Sequence, residues 1–143
     1  MNEDTIYLLR ECNAGCKAAT NSMEQVIPYI SNEKFMSIIK KYNEKHINLG
    51  DECHHMLNKY DEEEKDPQLP AKAFSWISTE IKLAVNKDTS KIADIMIDGC
   101  NMGIKSVSKY INKYQAASHD SLNLAKKIVE IEQEFMNEML DYL

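Results

Sequence analysis

A chain of 143 residues with 43% hydrophobic and 28% charged content holds enough apolar material for one packed domain and too much for a disordered segment. Its net charge of −6 argues against nucleic acid and against an anionic membrane, since both are gripped through cationic surface. Only three prolines and four glycines punctuate it, which favours long helices over a turn-rich β fold.

The chain is expected to form one domain over 1–143. Its opening residues, Met1-Asn2-Glu3-Asp4, are acidic and lack the basic and apolar regions of a secretory leader. No apolar run approaches the ~20 residues of a membrane span. The expected compartment is a reducing cytoplasm. Cys12, Cys16, Cys53 and Cys100 form no CxxC spacing, which excludes a zinc ribbon and a thioredoxin-type motif. Cys12 and Cys16 lie four apart on one predicted helix, a poor geometry for a mutual disulfide, and buried thiols are expected at all four positions.

The first helical period covers about residues 4–30, with Leu9, Cys12, Cys16, Ala19, Met23, Val26 and Ile30 on one seam. Pro28 is expected to kink or loosen its last turn. Ser31-Asn32 reads as the start signal of the second helix, about 33–60, whose seam is Phe35, Ile39, Tyr42, His46, Leu49, Cys53, Met56 and Tyr60. So short a connection makes the two helices antiparallel. The acidic stretch from Asp61 to Pro67 reads as a solvated break. A shorter crossover helix is expected over about 70–86, carrying Trp76.

The third long helix is expected over about 90–115, with Met96, Cys100, Gly103, Val107, Tyr110 and Tyr114 on one face. The fourth, about 119–142, presents Leu122, Ala125, Val129, Glu132, Met136, Met139 and Leu143, flanked by Leu124, Ile128, Ile131 and Phe135. One long connection among short ones implies two antiparallel hairpins joined by a crossover: an all-α antiparallel four-helix bundle with an extra short helix in the crossover. A weak internal repeat fits, since Cys12-Asn13-Ala14-Gly15-Cys16-Lys17 is echoed by Cys100-Asn101-Met102-Gly103-Ile104-Lys105.

The stretch from Ala71 to Ile77, with Glu80 to Val85 after it, resembles the crossover segment of a small bacterial ferritin-like family of uncharacterised function. Gly99 and Tyr110 resemble that family's third helix, and His46 falls where its second helix carries a histidine. The resemblance implies a ferritin-like bundle, and function only by analogy. It also exposes departures: Asn43 stands where a glutamate is expected three residues before His46. Cys100 follows Gly99 where an acid is usual, and the fourth helix has no Glu-x-x-His. Di-iron oxidase activity is therefore not expected.

One literal Glu-x-x-His occurs, at Glu52-Cys53-His54-His55, but at ~100° per residue Glu52 falls on the flank of the helix and His55 nearly opposite its apolar face. Both are read as solvated, as are His54 and His119. The stronger candidates are polar or sulfur residues in mid-seam. Glu132 has Ile128 and Val129 one turn before it and Phe135 and Met136 one turn after; a carboxylate there must be ligated, hydrogen-bonded or protonated. His46, Cys100, and Cys12 or Cys16 occupy the corresponding places in the other helices.

Two readings follow. In one, Cys12, Cys16, His46, Cys100 and Glu132 form a remodelled site for a single metal ion, zinc or iron, with thiolates favouring zinc. In the other, His46 is hydrogen-bonded to Glu132 and the thiols fill small core spaces. The bundle is then a non-catalytic structural or protein-interaction module, with a homodimer as one form of its pairing. The glycines, all in helix interiors, are expected to allow close helix approach; the sharper alternative is room for a small ligand. The Lys105, Lys109 and Lys113 stripe reads as a solvated face.

Overall fold

A computed structural model describes residues 2–59 and 89–143, and all of its regular structure among these is helical. Helix α1 spans Glu3–Val26, α2 Glu33–Asn58, α3 Thr89–Lys113 and α4 His119–Met139. The expected crossover helix at 70–86, with Trp76, lies outside the described residues. None of the described helices is long and apolar enough to cross a membrane.

Local chemistry sets the ends. Asn2 caps α1, its side-chain oxygen accepting from the Thr5 amide at 3.0 Å. The end of α1 comes earlier than the expected position near 30. Pro28 cannot donate a helical hydrogen bond, and the chain tightens into a 3-10 turn over Ile27–Tyr29. Asn32 then caps α2 by accepting from the Phe35 amide at 2.9 Å. Ser118 caps α4, accepting from the Ser121 amide, and a second 3-10 turn, Leu140–Tyr142, follows that helix.

Polar contacts tie the start of α1 to the turn between α3 and α4. The Ala116 amide donates to Asp4 at 3.1 Å, the Ser118 amide donates to the Thr5 hydroxyl at 2.8 Å, and the Asn2 side-chain amide donates to the Ala116 carbonyl. At the opposite end, Met23 and Val26 share a core with Phe35 and Ile39 of α2, Ile92 and Ala93 of α3, and Phe135 and Met139 of α4. Thus α1 and α4 run one way and α2 and α3 the other. The end of α2 and the start of α3 lie at opposite ends of the bundle.

A second core cluster fills the end nearest the α3–α4 turn, with Leu8, Leu9, Cys12, Leu49, Cys53, Leu57, Leu124 and Ile128 among its members. The inward face of α4 is rotated from the sequence expectation. Leu124, Ile128 and Phe135, expected on the flank, are buried with Ala125, Glu132 and Met139, whereas Leu122, Val129 and Met136 are only partly buried. Leu143 is exposed, since it lies beyond the last helical turn.

Candidate functional site

Between the two apolar clusters sits a polar layer. His46 and Glu132 are 1% and 6% exposed, and the imidazole Nε2 is hydrogen-bonded to Glu132 Oε1. The other ring nitrogen, Nδ1, lies 2.6 Å from the Tyr42 carbonyl one turn back on α2. A carbonyl oxygen only accepts, so Nδ1 carries a hydrogen. A single further proton then links Nε2 to the carboxylate, and the tautomer is fixed by the helix that carries the ring.

Burial alone favours the neutral imidazole. The hydrogen bond donated to Glu132, the charge of that carboxylate and the Tyr42 carbonyl outweigh that, so His46 holds its second proton to higher pH than a free histidine. The folded-state value is raised, so the stabilisation is complete below the unfolded value of ~6.5 and is lost as pH rises through the folded value. Urea denaturation from pH 6 to 9 is expected to show the advantage of the wild type over Glu132→Leu shrinking as pH rises. A constant difference across that range would contradict the assignment.

Cys100 joins the same carboxylate. Burial pushes its thiol well up, the Glu132 charge adds to this, and its S–H is hydrogen-bonded to Glu132. Cys16 feels the same charge, but its thiol is raised chiefly by burial and by Cys53. Cys12 is set lower, toward the start of α1; its principal contact is a thiol hydrogen bond with Cys53, which with burial raises it far above the ordinary range. Of the five candidates, His46, Cys100 and Glu132 make direct contacts. Cys16 lies within electrostatic reach of them, and Cys12 belongs to a different group. Cys53 acts in that second group, although its seam position resembled that of any small apolar residue.

The layer has a built surround. Phe135 stacks on Tyr42 with ring centroids 4.7 Å apart and meets the edge of His46 at 6.4 Å. Tyr42 and Lys41 beside it hold the Glu138 carboxyl below its usual range. Lys41 lies 3.3 Å from Glu138, and Lys45 lies 3.9 Å from Glu134, so exposed ion pairs flank the α2–α4 seam.

Glycines make room at two points. A Cβ at Gly103 would lie 3.2 Å from Glu132 Oε2, and one at Gly50 would lie 3.4 Å from the Cys16 Cβ. At Gly15 and Gly99 it would meet nothing within 4 Å, so close approach does not explain those two. Alanine at Gly15 or Gly99 is expected to raise stability by about 0.5–1 kcal/mol through helix propensity. Gly103→Ala is expected to gain nothing or to destabilise, because His46 and Cys100 hold the carboxylate that would have to move; denaturant midpoints read the difference.

Glu52, His54, His55 and His119 are exposed, as their positions implied, and so are Lys105, Lys109 and Lys113. A cleft of about 250 Å³ opens between α2 and α4, lined by residues including Glu52, Met56, Lys59, Asp120 and Lys127. No glycine lines it, so it does not correspond to the glycine-lined interior considered for a small ligand. Among the described residues no group of three or more His, Cys, Asp or Glu side chains is placed to hold a metal ion. A di-iron centre needs several carboxylates, whereas among the described residues the polar layer offers Glu132 alone, already engaged by His46 and Cys100. The residues present do not fit it.

Comparison with family models, with curated proteins and with solved structures finds no match to this chain.

Proposed function

We propose that this chain is a ferritin-like bundle that does not oxidise iron and serves as a structural or protein-interaction module. The observation that carries the reading is the closed His46–Glu132 pair. The histidine and the carboxylate that would otherwise supply ligands are engaged by protein partners: Nδ1 by Tyr42, Nε2 by Glu132, and the carboxylate by His46 and Cys100. A core polar network with every member satisfied fixes helix register and needs no further ligand.

An aromatic shelf supports the interaction half of the reading. Tyr7, which is 44% exposed, lies against Tyr114 at 5.7 Å, Tyr110 stacks on Tyr114 at 6.2 Å, and the Lys113 ammonium sits over the Tyr114 ring. Tyrosines of this kind are enriched at protein interfaces. The test has two arms. Light scattering of the purified chain is expected to report self-association, and a strictly monomeric chain would count against the interaction half of the reading. Aerobic addition of Fe(II) is expected to give oxidation no faster than buffer alone, and catalysed, stoichiometric oxidation would sink the proposal.

One observation favours a second reading, a single divalent cation in the remodelled layer. With Nδ1 committed to a carbonyl, Nε2 faces the carboxylate in the tautomer that metal-binding histidines use. Zinc or iron replacing the shared proton would draw first on His46 and Glu132, and Cys100 and Cys16 would have to turn toward it, because no group of three or more donors is already placed for a metal ion among the described residues. A zinc-induced rise in melting temperature that disappears in His46→Leu would establish this reading over the first.

A further inference from the structure

The thiols outside the His46–Glu132 layer gather on the α1–α2 hairpin. Gly50 faces the Cβ of Cys16, and this contact sets the register of the two antiparallel helices. One turn toward the start of α1 is Cys12. The matching step along α2 reaches the neighbours Cys53 and His54, of which His54 is exposed and Cys53 is 0% exposed. Register and burial thus bring Cys12, itself 1% exposed, against Cys53, and the two thiols share a hydrogen bond. Both are free cysteines in an apolar cluster that also includes Cys16, with the Met56 thioether packed against it.

We propose that Cys12 and Cys53 form a two-thiolate site for a soft monovalent cation of the Cu(I) class. Soft sulfur ligands select Cu(I) over harder ions, and Cu(I) accepts two thiolates in a near-linear arrangement. Zinc instead requires closure by about four donors, and no group of three or more His, Cys, Asp or Glu donors is so placed among the described residues. Binding is a substitution without electron transfer: two S–H bonds lose their protons to solvent, two S–Cu(I) bonds form, and copper stays monovalent. Buried protonated thiols are poor nucleophiles, which protects the pair from casual oxidation while leaving it open to an ion that displaces protons. The site uses none of the His46–Glu132 contacts, so it stands or falls separately from the proposed function.

The experiment is an anaerobic titration of the full chain with Cu(I) against a chromophoric Cu(I) chelator. Near-ultraviolet sulfur-to-copper absorption and proton release in weak buffer are followed together. The expected result is one ion withdrawn from the chelator per chain, with two protons released. Cys12→Ser and Cys53→Ala should each weaken binding by about 100-fold, roughly 2.7 kcal/mol, while Gly99→Ala, where an added Cβ meets nothing within 4 Å, leaves it unchanged. Failure of the wild type to compete would overturn the proposal. Release of fewer than two protons per ion would do so too, as would loss of binding in Cys100→Ala but in neither of the other cysteine variants. Circular dichroism checks that each variant stays helical, and unchanged binding in a helical Cys12→Ser or Cys53→Ala would overturn the assignment as well.

Discussion

Replacing His46 with leucine is expected to destabilise the bundle by about 3–5 kcal/mol, the cost of leaving a buried charge without its partner. Glu132 is 6% exposed. Without the imidazole its carboxylate keeps only the weak Cys100 thiol as a hydrogen-bond donor, and it must either take up a proton or open the bundle to water. Glu132→Leu should cost less, about 1–3 kcal/mol. The histidine it abandons can become neutral, with Nδ1–H still bonded to the Tyr42 carbonyl and only Nε2 unsatisfied. The double variant His46→Leu/Glu132→Leu removes both polar groups and is expected to match or exceed the wild type, as apolar replacement of buried pairs often does. Urea midpoints of the four proteins give the coupling energy. If the two single losses add up in the double variant, the pair does not act as a unit and the proposed closed centre is wrong.

Much of this layer was legible from spacing alone. Glu132 among Ile128, Phe135 and Met136, and His46 at the same phase in α2, could only be inward-facing groups needing a partner, and each is the partner of the other. The heights were harder. Seam position leaves Cys12 and Cys16 both open, because they lie on the inner face one turn apart, although a count from the α1–α2 turn sets Cys16 near the height of His46. The choice depends on how far α2 slides along α1, and that is set by the contact between Gly50 and Cys16. Cys53 was hidden for a related reason: a cysteine on a seam has the size and burial of any small apolar residue, and only the facing Cys12 makes it chemically distinct. The rotated face of α4 has a different source. Two apolar stripes run along that helix, one through Leu122, Val129 and Met136 and the other through Leu124, Ile128 and Phe135. Periodicity does not rank them; packing against α2 and α3 does.

Phe135→Ala should produce a loss as large as any in the protein, about 3–5 kcal/mol, by removal of buried aromatic surface and creation of a cavity. The ring is 2% exposed and sits where the apolar cluster meets the polar layer. It stacks on Tyr42 and meets the edge of His46. Its removal therefore acts on the imidazole as well as on the core, because water admitted beside His46 weakens the attraction between ring and carboxylate. Phe135→Leu keeps most of the volume and should cost less than half as much, leaving the pH dependence of stability intact. In Phe135→Ala that dependence should flatten, since a hydrated His46 titrates closer to a free histidine. Denaturation at pH 6 and pH 9 separates the two effects. A large loss in Phe135→Ala with an unchanged pH dependence would confine the ring's role to core packing.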